Sequence, residues 1–221
     1  MEQIICTVDV VLLTLQDDRL KVALLKRTHA PYQGLLALPG GYIHQGEDSD
    51  ARDAALRVLR DKAGIHAPYL EQLATFTGQA RDPRGWSISV TYYALVAAQV
   101  IEAAAHPDVH LVDVDRYQQL PFDHQHILNT AVQRLRSKSQ YSSLPCYLAG
   151  DKFTLPQLQR VYEVLMGETI NKVSFRRKMT EMDMLEVADG KSETNGAHRP
   201  AQLYQLKPAF RQHLRLLERG F

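Results

Sequence analysis

Apolar residues gather early in two short blocks, "IICTVDVVLLTL" at 4–15 and "LKVALLKR" at 20–27, both rich in β-branched or leucine side chains and separated by "QDDR". This pattern predicts a strand, a tight polar turn and a second strand. "LPGG", 38–41, breaks the chain, and from Asp50 the spacing changes. Ala55, Leu56, Leu59 and Ala63 recur at intervals of one, three and four, which predicts a helix that Gly64 can end. Strand patterns return at 70–77 and at 86–97, "WSISVTYYALVA", and "VHLVDV" at 109–114 predicts another. Residues 123–138, "DHQHILNTAVQRLRSK", put Ile127, Leu128, Ala131 and Leu135 on one stripe of a helix, with Asp123 as its N-cap.

The following tract, "SQYSSLPCYLAGDK" at 139–152, is rich in Ser, Pro and Gly without sustained period, and is expected to connect two domains. Beyond it stand "TLPQLQRVYEVLMG", "NKVSFRRKMTEMDML" and two strand-like runs, "LEVA" and "QLYQLK", around a polar tip. Helix, turn, helix, hairpin is the order of a winged helix-turn-helix. Thr154 is the expected N-cap of the first helix, with Pro156 in its first turn, and that helix end suits a phosphate. In the second helix the expected inner stripe is Val173, Met179, Met182 and Leu185, with Phe175 and Met184 extending it. Lys172, Ser174, Arg176, Arg177 and Lys178 gather in its first two turns, where a recognition helix reaches base edges. Arginine suits bidentate contact with guanine. Lys191, His198 and Arg199, in the hairpin tip, are the candidate wing contacts. The bland alternative is a solvated basic face on a small helical domain; helix-turn-helix and wing together favour nucleic acid.

Charge changes this picture slightly. The chain as a whole carries only +1, but from residue 151 onward 12 Lys and Arg face 9 Asp and Glu, against 14 and 16 before it. A basic C-terminal third is what an appended nucleic-acid module would show. With 45% apolar residues in 221, globular cores are affordable. Cys6 and Cys146 lie far apart with no ligand-like spacing, so neither a disulfide framework nor a zinc site is expected, and a reduced, cytoplasmic setting is. No run approaches the ~18 apolar residues that would span a bilayer.

Residues 38–65 carry the chemistry. Gly41 is followed after five residues by Glu47, and Arg57, Leu59, Gly64 and Ile65 complete a frame that resembles the Nudix box with a two-residue insertion. The resemblance implies an N-terminal Nudix-type α/β/α sandwich. The family's pattern has glutamates where this chain has Val58, Asp61 and Lys62. Helix positions 58 and 62 share a face, so in that pattern they present two carboxylates to one divalent cation. Valine offers no ligand atom and lysine brings a positive charge to the place of another, so efficient metal-assisted cleavage is not expected. Lys62 either supplies part of that charge to a bound pyrophosphate, with Gly40 and Gly41 bringing backbone donors close, or is a solvated surface residue paired with Asp61 or Glu47. In "RDPRGWS", 81–87, Arg81 and Arg84 suit a pyrophosphate and Trp86 an adenine face; the alternative is a β-turn on Pro83 and Gly85 with Trp86 as a core anchor. His124 and His126, two apart on a helix, are expected to be structural.

The loop at 81–87 is similar to that of Nudix proteins that handle ADP-ribose. Over nearly the whole chain, "LPGGYIHQGED", "RDPRGWSISVTYYAL", "FTLPQLQRVYEVLMG", "SFRRKM" and "RPAQLYQLKP" resemble the Nudix-related transcriptional regulators of NAD metabolism (NrtR). That resemblance implies a mixed α/β (α+β) chain: an effector-binding and dimerising Nudix-like domain over 1–138, a linker over 139–152, and a winged helix-turn-helix over 153–221. It implies a homodimeric repressor of NAD biosynthesis or salvage genes on a palindromic double-stranded operator, released by ADP-ribose, with no required cofactor, metal or membrane. The effector residues it suggests are Arg27, Gly40, Gly41, Glu47, Arg57, Asp61, Lys62, Arg81, Arg84 and Trp86. The DNA-contacting residues are Thr154, Gln157, Lys172, Ser174, Arg176, Arg177, Lys178, Lys191, His198 and Arg199. Two other classes stay open: a working hydrolase built on Asp61, Glu47 and a loop carboxylate, and a regulator whose Nudix domain is only a scaffold.

Overall fold

The two apolar blocks form a hairpin, β1 (Ile5–Gln16) and β2 (Arg19–Lys26), and between them Asp17 and Asp18 both take positive φ, 54° and 55°. Two successive left-handed residues give the turn whose twist matches its strands, and aspartate is among the few side chains that tolerate it. The structure is a computed structural model and describes residues 4–116, 119–191 and 201–211, the Lys191 side chain excepted. After the hairpin come β3 (Leu36–Ala37), β4 (Gly40–Tyr42), α1 (Ala51–Ala63), β5 (Tyr69–Gly78), β6 (Ser87–Leu95), α2 (Ala98–Ala104), β7 (Val109–Asp113) and α3 (His124–Ser139). The apolar pattern gives no sign of β3, β4 or α2. Two- and three-residue strands are too short to show a period, and α2 has only one buried residue, Ile101.

The seven strands make one mixed sheet in the order β3-β2-β1-β6-β5, with β4 also on β1 and β7 also on β2. β1 and β6 run parallel, Asp9 beside Thr91, whereas β4, β5 and β7 pair antiparallel with their neighbours. Side chains alternate across β1. Val8, Val10 and Leu12 enter a core with Ala54, Ala55, Val58, Leu59 and Ala63 of α1 and with Tyr92 and Ala94 of β6. The opposite face carries Asp9, and β6 sends Ser87, Ser89 and Thr91 to that same side, all buried. Along β5, α3 sets the His126 ring edge-on to Phe76 and reaches Leu73 O with Arg134. The ends of α1 follow the sequence signals: Asp50 accepts from Asp53 N, and Gly64, at φ +66°, turns the chain so that Ile65 N–H reaches Leu59 O.

The chain forms two compact units, the first made of residues up to Arg134 without Asp17–Arg19, and the second of Asp17–Arg19 and the residues from Leu135 onward. The second contains α4 (Cys146–Ala149), β8 (Phe153–Thr154), α5 (Leu155–Met166), α6 (Lys172–Met182), β9 (Leu185–Lys191), β10 (Gln202–Leu206) and α7 (Pro208–Arg211). Its sheet is antiparallel in the order β8-β10-β9. The tract 139–152, expected as an irregular connection, is mostly packed: Leu144, Cys146, Tyr147 and Leu148 are buried, and the Tyr162 hydroxyl donates to Ser142 O at 2.8 Å. Its serines misled the reading because they bond back to the helix, Ser139 to Leu135 O and Ser142 to Lys138 O, and so become compatible with burial. No helix among the described residues is long and apolar enough to cross a membrane.

α5 opens with a complete capping box: Thr154 Oγ1 accepts from Gln157 N, and Gln157 Oε1 accepts from Thr154 N. The turn into α6 is held by side chains. Glu163 accepts from Gln159 and from Ile170 N, Gln159 donates to Ile170 O, and Asn171 caps Val173 N and Ser174 N. The inner stripe of α6 differs from expectation. Val173 is 75% exposed and Leu185 opens β9, while Phe175, Met179, Met182 and the following Met184 are buried, Phe175 edge-on to Tyr162. Val173 and Phe175 are two apart and therefore on nearly opposite sides, so only one of them can be inside. Phe175→Ala is expected to cost about 3–5 kcal/mol of stability in this unit and Val173→Ala less than about 0.5, measured by urea unfolding of the two variants.

Candidate functional site

The buried polar face of the sheet is organised around one guanidinium. Arg81, 9% exposed, donates through Nε and NH2 to the two carboxylate oxygens of Asp123 at 3.0 Å each, through NH1 to Ser87 Oγ at 3.1 Å, and through NH2 to Asp9 at 3.4 Å. Ser89 donates to the same Asp9 oxygen at 2.6 Å. His124 closes the network: its Nδ1 accepts from Leu38 N, which leaves the proton on Nε2, 3.5 Å from Asp9 Oδ1. Burial by itself raises the Asp9 carboxyl, but His124, Ser89 and Arg81 outweigh it and its pKa is lowered. Asp123 thus sits where an N-cap was expected, yet its carboxylate serves Arg81.

Asp9 also explains a glycine. A Cβ on Gly40 would lie 2.2 Å from Asp9 Oδ1 and 3.0 Å from Val8 O, so only glycine lets β4 approach β1 here. Gly41 faces α1, and a Cβ there would lie 3.3 Å from Val58 Cγ2 and 3.4 Å from Lys62 Nζ. Positions 58 and 62 therefore do share the face that the sequence assigned them. Val58 is fully buried in the core, and Lys62 Nζ donates to Gly40 O at 2.5 Å. The lysine, exposed as a residue, turns its ammonium to the glycine strand, and neither Asp61 nor Glu47 is its partner. Loss of solvent at the ammonium, followed by the nearby Arg27 and Arg57, lowers its pKa.

Around this point opens a cavity of about 720 Å3, lined among others by Asp9, Arg27, Gly40, Gly41, Tyr42, Arg57, Asp61, Lys62, Arg81, Asp82, Arg84, Phe122 and His124. That volume suits a ligand of nucleotide size. Arg27 lies over the Phe122 ring at 4.8 Å and donates to Pro31 O and His29 O. Arg84 donates to both Asp82 oxygens and to the Tyr42 hydroxyl, and lies 5.6 Å from the Tyr42 ring and 5.9 Å from that of Phe122. Burial and then the Arg84 charge lower the Arg27 pKa. Phe122 holds its ring here from a left-handed backbone, φ +58°, a conformation that costs a bulky residue about 1–3 kcal/mol and is kept only where the surroundings enforce it.

Other candidates are held by other partners or lie outside the cavity. Arg57 lies along the cavity but is fixed, Nε and NH2 each 2.7 Å from an Asp48 oxygen and NH2 2.9 Å from Tyr42 O. Glu47 is exposed against His44, and Asp61 pairs with its neighbour Arg60. Trp86, 43% exposed, is neither cavity wall nor core anchor. The pattern missed Asp9, Tyr42, Asp82 and Phe122 and read His124 as structural. One signal was present, an aspartate in the middle of the apolar run "TVDVVLL".

In the second unit, Lys172, Ser174, Arg176 and Arg177 are exposed on α6 and Lys178 is half-buried. Thr154 and Gln157 are engaged in the capping box, and Thr154 is buried. His198 and Arg199 lie outside the described residues, as does the Lys191 side chain.

A Nudix domain followed in the chain by a winged helix defines a two-domain class distinct from the free-standing Nudix fold. Residues 7–134 match the NUDIX domain family, and residues 145–206 match the family described as the NrtR DNA-binding winged helix domain. The chain is 37% identical over 203 residues to the "ADPR responsive transcriptional repressor NtrR" of Acinetobacter baylyi, covering 90% of this chain and 80% of that one. It superposes on the crystal structure of Shewanella oneidensis NrtR complexed with a 27mer DNA with a TM-score of 0.90 and 39% identity, over 98% of this chain and 99% of that one. The NUDIX domain of the same Shewanella protein, complexed with ADP ribose, matches at 40% identity and a TM-score of 0.56, over 61% of this chain and 90% of that one. The chain belongs to the NrtR family of Nudix-related transcriptional regulators.

The Asp48–Arg57 pair gives the site an acid limit. Arg57 first, with the His44 backbone N–H, outweighs desolvation and lowers the Asp48 pKa from 3.8 to about 2. A carboxyl depressed in the folded state stabilises fully above its ordinary value, and the contribution fades as pH falls through 3.8 towards 2. Asp48→Asn should therefore remove part of the acid-induced loss of stability between pH 4 and about 2 without changing its slope above pH 5, as read by thermal melts across pH.

Proposed function

We propose that this chain is an ADP-ribose-responsive transcriptional repressor that binds operator DNA through its winged helix and releases it when the Nudix cavity fills. The observation that carries this reading is the end-to-end likeness to a relative solved on DNA, whose Nudix domain is also solved with ADP-ribose. The cavity chemistry supports the ligand. Arg27 and Lys62 donate only to carbonyls, and no carboxylate among the described residues forms an ion pair with either. Arg27 weakens the tendency of Lys62 to stay charged, and a diphosphate between them would relieve that repulsion. Arg27, Lys62 and the Asp82-held Arg84 are then the diphosphate contacts, and Tyr42 and Phe122, rather than Trp86, the aromatic faces. Arg81 belongs to the wall that positions them.

The same geometry argues against a metal-dependent hydrolase. A hard divalent cation needs several oxygen ligands near octahedral geometry. The box offers the buried Val58, the Lys62 ammonium on Gly40 O, Asp61 paired with Arg60 and Glu47 paired with His44. This donor set does not fit, and the reading assigns the domain to sensing.

The rest of the proposal follows the family's build: a cytoplasmic homodimer on a palindromic operator of NAD biosynthesis or salvage genes, with 1–138 sensing and dimerising, 139–152 connecting and 153–221 reading DNA. The working principle is linkage. ADP-ribose favours a dimer geometry whose two recognition helices are not one DNA turn, about 34 Å, apart, so it weakens DNA binding by the factor by which DNA weakens its own. The movable element is the helix of 123–138 with the segment after it.

An operator titration at fixed salt, with DNA from upstream of the organism's NAD genes, should show specific binding that ADP-ribose abolishes, while the ADP-ribose survives incubation with magnesium. Arg27→Ala and Lys62→Ala should bind the operator normally and need at least about ten-fold more ADP-ribose for release, the loss of one charged contact at ~1.5–3 kcal/mol. Operator binding indifferent to ADP-ribose would reduce the Nudix domain to a scaffold, and turnover with magnesium would make it an enzyme.

A further inference from the structure

Val173 is the apolar side chain that α6 turns away from its own core. At 100° per residue, Val173, Arg176, Arg177 and Thr180 form one stripe of the helix, opposite the buried Phe175, Met179 and Met182. All four are exposed, Val173 by 75%. The backbone of this helix end has little left to offer a ligand, because Asn171 Oδ1 already accepts from Val173 N at 3.0 Å and Ser174 N at 3.1 Å. Whatever this face recognises, it recognises with side chains. Arg177 is only loosely engaged, 3.6 Å from an exposed Glu181, so its guanidinium is free to exchange that partner for another.

A stripe of two guanidiniums around a branched aliphatic group has a definite complement in a polyanion. The major groove presents guanine acceptors to arginine, and its one apolar group is the 5-methyl of thymine. A solitary exposed valine is ordinary on protein surfaces; one set between two arginines on the outward face of a recognition helix is placed to meet that methyl. We infer that Val173 is a base-reading residue, packing its two methyl groups on the 5-methyl group of one thymine in each operator half-site, next to the bases read by Arg176 and Arg177. This rests on the reading of the C-terminal unit as DNA-binding.

The test uses the full-length protein without ADP-ribose, on a duplex that it enriches from a randomised pool at fixed salt. Each thymine is then replaced in turn by deoxyuridine, which keeps every hydrogen-bonding edge and lacks only the methyl. At one thymine per half-site the replacement should weaken binding about four-fold, the effect of leaving roughly one methylene equivalent unburied. Val173→Ala, which loses the contact in both half-sites, should bind the unmodified duplex about sixteen-fold more weakly, lose nothing further at that deoxyuridine, and keep the salt dependence of the parent, since no phosphate contact is touched. Val173→Thr, which retains one methyl, should remain sensitive to the replacement. An enriched duplex with no methyl-sensitive thymine, or a Val173→Ala protein that still senses the methyl, overturns the assignment of Val173 and leaves DNA binding intact. Failure to enrich any duplex overturns the DNA-binding reading and this inference with it.

Discussion

A guanidinium buried in a protein must be met on every side, and the Nudix unit is arranged so that Arg81 is. Its partners come from three separate parts of the chain: Asp9 from the middle of β1, Ser87 from the start of β6, and Asp123 from the residue before α3. Removing one carboxylate from such a set leaves charge without compensation in a dry place, which is far more costly than never having buried it. The network therefore fixes the mutual position of strand, loop and helix. Asp9, held from one side by Arg81 and Ser89 and from the other by His124, in turn excludes any side chain at position 40. The glycine strand lies where it does because Asp9 does.

That placement decides what remains of the Nudix box. Arg57 is clamped by Asp48, and Gly41 lies against α1. Lys62 reaches across to Gly40 O from the helix position where the family has a carboxylate. In the proposed reading the protein itself supplies the positive charge that meets a diphosphate. The crowding is visible in the depressed pKa values of Lys62 and Arg27, each lowered by burial and by its cationic neighbours. A cavity that destabilises its own cations binds an anion more strongly than one that has already neutralised them.

The second unit solves a different problem, holding a short helix rigidly with its outward face open. Glu163 and Gln159 tie α5 to the Ile170 backbone, and the capping residues Thr154 and Asn171 satisfy the helix starts. The Glu163 carboxyl is lowered first by Gln159 and then by the Ile170 N–H, the mark of a charge used to brace a turn. Because the supporting bonds are internal, the Arg176 and Arg177 side chains are left to solvent and to a partner.

Local signals were enough for much of this. The hairpin turn at Asp17 and Asp18, the limits of α1 at Asp50 and Gly64, the Thr154 cap and the longer helices and strands all follow from contacts within a few residues, so the sequence by itself determined them. The shared face of positions 58 and 62 was equally legible, since residues four apart lie together on any α-helix. What only the tertiary structure decided depends on residues far apart in the chain. Arg81 and Trp86 looked like ligand contacts because arginine and tryptophan suit a nucleotide in general; whether Arg81 meets a ligand or Asp123, 42 positions away, depends on where α3 begins. Phe122 and Asp9 reach the cavity from segments with no shared local pattern, one through a strained backbone and the other as a lone charge on a buried strand. Val173 and Phe175 were interchangeable as apolar positions until packing against Tyr162 chose the ring that fits. Periodicity states that one face of a helix is buried; which face it is, and what the other face is free to read, depends on the partner it packs against.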